Sequence, residues 1–262
     1  MEFLPLSPEA ITSNAKTKLI GQNVIVLEAI DSTNTHLKSL AMKGIALGTV
    51  VITEEQTAGR GRLGRTWVTQ KGKNLTFSVL LSLPSHNPGL ISLVAGIAVA
   101  QAIRLQTSLP AECKWPNDIL INGKKVCGTL SEAVTPPNNN SAVIIGIGVN
   151  VNQTEFPEEL QSSASSLILE QRQSINRIEL LTTILERLEY WYNQLVSQNC
   201  ALIISEWKSL CTMIGSPISL NQNGNIITGI FADVAEDGAL LLQQHDTILR
   251  VLAGDVSVVK SS

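Results

Sequence analysis

Gly59-Arg60-Gly61-Arg62-Leu63-Gly64-Arg65-Thr66-Trp67 stands between two runs of strand character, Thr49-Val50-Val51-Ile52-Thr53 before it and Leu75-Thr76-Phe77-Ser78-Val79-Leu80-Leu81 after it. Gly59, Gly61 and Gly64 satisfy the spacing of a dinucleotide fingerprint, but that fingerprint opens a helix and is followed about 20 residues on by a ribose-binding acid. Here Lys71-Gly72-Lys73-Asn74 leads into a second strand, so the stretch reads as strand, loop, strand, and a doubly wound dinucleotide fold is excluded. Glycine lets the backbone approach a ligand closely, and each guanidinium offers a planar fork of donors that fits carboxylate or phosphate oxygens. Such a loop can wrap an anion, and a flexible basic surface loop is its plainer alternative.

From Gln56 to Ala111 there is no Asp or Glu, and Arg60, Arg62, Arg65, Lys71, Lys73 and Arg104 are unopposed within that stretch. The whole chain carries a net charge of -3. A local positive field on an acidic molecule favours a small polyanion as ligand over DNA, whose long phosphate backbone the rest of the surface would repel.

Around the loop the pattern is mixed α+β. Val24 to Ile30 predicts a strand, Thr33 to Lys43 a helix, and Leu90 to Ile103 a buried helix under a sheet, too short an apolar run for a bilayer and interrupted by Gln101 and Arg104. A strand meander follows through Ile119 to Asn122, Lys125 to Ala133 and Ala142 to Val151, with a polar hairpin tip at Pro136 to Ser141. Arg177 to Gln198 has the spacing of an amphipathic helix. After Cys211 the texture changes to short strands parted by Gln222-Asn223-Gly224 and Glu236-Asp237-Gly238, which predicts a small antiparallel barrel. We therefore expect a catalytic domain over 1–213 and a C-terminal domain over 214–262.

At 262 residues, 44% hydrophobic and 16% charged, the chain is long enough for one large core with a small appendage. Cys113, Cys127, Cys200 and Cys211 form no C-x-x-C pair and have no nearby histidines, so four buried thiols are expected rather than disulfides or a zinc site. Met1 to Gln22 lacks the basic start and apolar core of a secretory signal, which places the chain in the cytoplasm with no membrane partner.

Four further segments extend the loop: Asp31-Ser32-Thr33-Asn34, Lys114-Trp115-Pro116-Asn117-Asp118, Gly123-Lys124-Lys125-Val126-Cys127-Gly128 and Gly146-Ile147-Gly148-Val149-Asn150-Val151-Asn152. In this order, and together with the arginine-glycine loop, they resemble the biotin protein ligases, the biotin–[acetyl-CoA-carboxylase] ligase family, over nearly the whole chain from Val24 to Val259. The resemblance implies a mixed sheet packed on helices, similar to class II synthetases, followed by an SH3-like C-terminal barrel. It implies ATP and biotin as substrates, magnesium with the ATP, and a biotin carboxyl carrier protein of acetyl-CoA carboxylase as acceptor. Family members often form homodimers.

Carried over position by position, Lys125 and Arg62 match the catalytic positions. Ser32, Thr33, Asn34, Gln56, Arg60, Gly61, Arg62, Lys125 and Gly128 match biotin contacts, and Arg60, Arg62, Arg65, Trp67, Asn117, Lys125 and Asn150 match ATP contacts. Asp118 is the candidate for magnesium. Each has a plainer alternative: Asp31-Ser32-Thr33 as a helix N-cap, Trp67 as core packing, Arg65 as a pin for the loop base, Asn117 and Asp118 as turn residues. Alternation along a strand predicts that one of Lys124 and Lys125 faces the ligand, and the motif points to Lys125.

Many bacterial members carry an N-terminal winged helix-turn-helix of about sixty residues. Only thirty residues precede Asp31 here, so a single-function ligase that binds no DNA is expected. A lipoate-protein ligase of the same fold is the enzymatic alternative, and a non-catalytic biotin-binding regulator is the other. The glycine-acid turn Leu252-Ala253-Gly254-Asp255-Val256 leaves open what the C-terminal domain gives to the site.

Overall fold

Alternation of side chains along the strands explains the layering. The computed structural model describes residues 5–137, 141–222 and 224–258, so Asn138, Asn139 and Asn140 of the expected hairpin tip and Asn223 of the expected turn lie outside the described residues. Helix α1 (Pro8–Asn14) precedes β1 (Val24–Ile30), α2 (Thr33–Ala41), β2 (Val50–Gln56), β3 (Leu75–Ser82), α3 (Leu90–Thr107), β4 (Glu112–Lys114), β5 (Asp118–Ile121), β6 (Lys124–Val134) and β7 (Ala142–Val149). The seven strands form one sheet in the order β1-β2-β3-β7-β6-β5-β4, with β1 and β2 parallel and the other neighbours antiparallel. On β3, Leu75, Phe77, Val79 and Leu81 point into the large core beneath α3, while Leu80 joins α2 on the opposite side. Thr76 and Ser78 share that opposite side, and on β7 so do Gly146 and Gly148. The sheet face that α2 leaves uncovered is thus lined with hydroxyls and glycines.

Helix α3 runs further than its apolar core, to Thr107, and is long and apolar enough to cross a membrane by length and composition alone, contrary to the expectation that it is too short. It is a core helix, packed beneath the sheet and against two of the helices that follow, α5 (Arg177–Val196) and α6 (Cys200–Ser209), with the short α4 (Leu167–Gln171) between β7 and α5 in the chain. Its polar interruption has a purpose: Gln101 accepts from Trp191 Nε1 at 2.9 Å and donates to Glu206 at 2.8 Å, tying α3 to α5 and α6. Asn176 caps α5, accepting from Ile178 N at 3.0 Å and Glu179 N at 3.3 Å. Just inside that end, Arg177 forms a buried two-point pair with Glu54 of β2.

The second sheet holds β8 (Pro217–Gln222), β9 (Asn225–Val234), β10 (Leu240–Gln244), β11 (Thr247–Val251) and β12 (Asp255–Val258) in the order β11-β10-β9-β8-β12. All pairs are antiparallel, as expected, and among the described residues no ladder closes the ring between β11 and β12. The sheet is fastened to the first unit by Trp115 Nε1 donating to Gly238 O at 2.9 Å and by Lys208 paired with Asp233 at 2.7 Å. Cys113, Cys127 and Cys211 are buried, whereas Cys200 is half-buried, because it opens α6 at the surface. Burial pushes the Cys113 and Cys127 thiols well up and that of Cys211 up to about 11, so the three stay protonated at neutral pH.

Candidate active site

A cavity of about 370 Å³ opens on the hydroxyl and glycine face of the sheet. Its wall brings together all the residues proposed from the sequence: Ser32, Thr33, Asn34, Gln56, Arg60, Gly61, Arg62, Arg65, Trp67, Asn117, Asp118, Lys125, Gly128 and Asn150. Five chain segments therefore converge on one volume. Lys125 is on that wall, while Lys124 is off it and reaches Gln161 O at 3.2 Å, as strand alternation predicts.

One corner is buried and hydrogen-bonded throughout. Ser32 is the N-cap of α2, as the plainer alternative has it, and the cap sets Thr33 and Asn34 on the cavity wall at the helix start. Thr33 N donates to Gln56 Oε1 at 2.9 Å, and Ser78 Oγ lies 2.7 Å from Thr33 Oγ1 and 2.6 Å from Asn34 Oδ1. A Cβ on Gly146 would collide with Asn34 Oδ1, so only glycine leaves room for that amide. At the other end Asn150 is buried, its Nδ2 donating to Ser165 O at 3.0 Å while its Oδ1 has no partner among the described residues. An orphaned acceptor on a cavity wall is suited to a ligand amine.

The floor is a pair of facing glycines, Gly128 on β6 and Gly148 on β7. Trp67 lies over them: a Cβ on Gly148 would overlap its indole, and one on Gly128 would come 3.2 Å from Cζ3. The indole is half-buried, its Nε1 has no acceptor among the described residues, and Lys125 Nζ stands 5.6 Å from the ring centroid. Lys125 also pairs with Asp118 at 2.7 Å. Two carboxylates, Asp118 and Asp255, border the cavity, each held by a cation. Such a donor set fits magnesium only in company with phosphate oxygens and water, its usual partners.

The arginine-glycine loop is a small closed hairpin. Gly61 N donates to Arg65 O at 2.7 Å and Trp67 N to Gly59 O at 3.0 Å, with a tight turn at Arg62–Gly64 in which Leu63 takes φ +54° and is exposed. Its cations, unopposed within their own stretch, find acids elsewhere in the fold: Arg60 meets Glu132 at 3.2 Å, Arg65 meets Asp255, and Lys71 meets Glu28 at 2.6 Å. Arg62 Nη1 donates to Asn117 Oδ1 at 3.0 Å and reaches Gly254 O at 3.5 Å. Asn117 in turn donates to Thr129 O at 2.6 Å, so it works as a turn residue and as the rest for Arg62.

Comparison with known proteins agrees with this geometry. Residues 26–150 match the biotin/lipoate A/B protein ligase family, and residues 213–259 match the biotin protein ligase C terminal domain. A biotin–[acetyl-CoA-carboxylase] ligase of Mycobacterium tuberculosis is 32% identical, with 96% of each chain covered. The chain belongs to the biotin protein ligase family. It is thus an enzyme, and its mixed sheet on helices with a C-terminal antiparallel sheet is that family's architecture. A bifunctional ligase/repressor BirA of Bacillus spizizenii is 34% identical, covering 97% of this chain and 79% of the relative. The biotin protein ligase from Aquifex aeolicus in complex with biotin and ATP superposes with a TM-score of 0.81 at 32% identity, over 92% of this chain and 100% of that one.

The sequence reading passed over Ser78, Glu132 and Asp255. Ser78 is hidden in an apolar strand, and only its even position on β3, shared with Thr76, marks it as turned to the α2 side of the sheet, where it lies behind Thr33 and Asn34. Glu132 is the acid in β6, beyond the paired lysines that open the strand, and its position there was a usable signal. Asp255 belongs to the glycine-acid turn whose contribution was open, and the fold brings it to Arg65.

Proposed function

We propose that this chain activates biotin with ATP to biotinyl-5′-AMP and transfers the biotinyl group to a lysine of a biotin carboxyl carrier protein. The observation that carries the reading is the convergence of the arginine loop, Lys125 and the hydroxyl corner on one cavity of about 370 Å³. In the first step a biotin carboxylate oxygen bonds to the α-phosphorus and the bond to the β-phosphate oxygen breaks, releasing pyrophosphate. Like charges must be neutralised before these atoms approach. Lys125 exchanges its contact with Asp118 for the carboxylate and α-phosphate, where a compact charge follows the group from substrate to adenylate. Arg60 and Arg62 supply forked donors to the same oxygens, and Arg65 secures the loop base.

Ser32, Thr33, Asn34 and Gln56 take the ureido ring, whose desolvation requires fixed partners. Asn150 offers its free Oδ1 to the adenine amine, and Trp67 offers a stacking face. Asp118 would be the protein group to meet a magnesium ion carried in with ATP, which would supply charge neutralisation at the departing phosphates. In the second step the acceptor amine attacks the acyl carbon, AMP leaves and the amine loses a proton. Catalysis in this scheme is positioning and charge stabilisation. We place the domain boundary at 213/214, the enzyme in the cytoplasm, possible self-association in a homodimer, and neither DNA nor membrane among its partners, on the net charge of -3 and the buried setting of α3.

The test is purified protein with magnesium-ATP and an apo carrier domain of acetyl-CoA carboxylase, given biotin or lipoate and read by intact mass. A biotin adduct on the carrier lysine is expected. Transfer of lipoate alone overturns the reading.

A further inference from the structure

One charged group on this face has no role in the chemistry above. Glu132, on β6, accepts from Asn34 Nδ2 at 2.6 Å and from Arg60 Nη2 at 3.2 Å, both through Oε2. Asn34 is buried, and its amide nitrogen also reaches Leu130 O at 3.3 Å. From Asn34 the contacts continue through Ser78 to Thr33, and from Thr33 Oγ1 to Gln56 Oε1 at 3.2 Å.

We propose that Glu132 is a positioning residue that sets the direction of this hydrogen-bond chain, so that the Thr33 hydroxyl meets the ligand with a lone pair. The proposal rests on biotin being the ligand of this corner. An ionised carboxylate only accepts, so Asn34 turns its NH2 toward Glu132 and its carbonyl oxygen toward Ser78. Ser78 has one proton, and Asn34 Oδ1 has none to give, so that proton is committed to Asn34. The short Ser78–Thr33 contact is then closed by the Thr33 proton. Thr33 Oγ1 is left with lone pairs at the cavity wall, the complement of a ureido N–H, while Gln56 Oε1 already accepts from Thr33 N.

An amide at position 132 relaxes the constraint, leaving Leu130 O, at 3.3 Å, as the remaining obligate acceptor for the Asn34 NH2. Asn34 can then turn over, placing its NH2 against Ser78, which frees the Ser78 proton and then that of Thr33. The Thr33 proton divides between Gln56 Oε1, which already accepts from Thr33 N, and the cavity, where it sets donor against donor. Biotin's ring N–H groups belong to this corner and ATP's phosphates to the other, so the loss falls on biotin. Gly146 offers a second route to the same amide, because a methyl there displaces Asn34 Oδ1 from the β7 side.

The experiment is steady-state adenylate formation by the full chain, varying biotin and ATP separately, with thermal unfolding alongside. Glu132→Gln should raise KM for biotin about tenfold or more, with KM for ATP and kcat within about twofold and an unchanged Tm. Gly146→Ala should raise the same KM. Because Glu132 acts through Asn34, Asn34→Ala with Glu132→Gln should be no worse than Asn34→Ala alone. An unchanged biotin KM in Glu132→Gln overturns the proposal, as do equal rises in both KM values with a fallen Tm, or losses that add in the double variant. A wild-type chain inert toward biotin would remove the reading beneath the proposal as well, and is told apart because it needs no variant.

Discussion

The two halves of the cavity are held by different physics. In the hydroxyl corner Ser32, Thr33, Asn34 and Ser78 are buried, and Ser78 of β3 holds Thr33 and Asn34 of α2 by short hydrogen bonds. The arginine loop hangs on ion pairs whose side chains remain open to water, Arg60 at 48% and Arg65 at 68% exposure. Exposed pairs contribute about 0–1 kcal/mol each, whereas removing one partner of a buried network costs several times that. Under the function proposed above, a neutral ring would meet a preformed surface, and an anion a loop that can exchange Glu132 and Asp255 for the ligand's oxygens.

Lys125 stands between the halves, and its loss should be felt most. Lys125→Ala is expected to lower adenylate formation by roughly a hundredfold to a thousandfold while biotin still binds through the corner, measured by pyrophosphate release beside calorimetric binding. Comparable binding loss and rate loss would mean that the corner does not hold biotin alone. The buried standard for the comparison is Arg177 with Glu54: Arg177→Met leaves a buried carboxylate and should cost about 3–5 kcal/mol of stability in denaturant unfolding. A loss below about 1 kcal/mol would show that burial does not separate the two kinds of pair.

Smaller effects are expected on the loop. Arg62→Gly removes the contacts to Asn117 and Gly254 and a fork over the adenylate, so biotinyl-AMP should escape roughly tenfold to a hundredfold faster, with increased labelling of unrelated lysines. An unchanged escape rate would make Arg62 a surface charge. Asp255→Asn should change stability by no more than about 1 kcal/mol, and less at high salt. A larger, salt-independent loss would place the Arg65 pair with the buried networks.

What was legible in the sequence follows the same division. β1, β3, α3 and α5 could be read because each carries its own period and apolar face. The three-residue β4 and helix α6 could not: β4 is held by pairing with β5, and α6 follows α5 closely with no side-chain cap to announce it. The motif residues of the site were readable one by one, yet the acids that hold the arginines were not. Glu132 lies seventy-two positions from Arg60, and Asp255 comes from the other sheet, so only the fold could pair them.

Hydrogen exchange with and without biotin tests the contrast most directly. Amides of Thr33, Thr35 and Ser78 should be protected in both states, while those of Arg60 to Gly64 exchange quickly in the free protein and slow by about tenfold or more with biotin. Equal protection of Arg60 to Gly64 in both states, or a hydroxyl corner protected only once biotin is bound, would contradict the account.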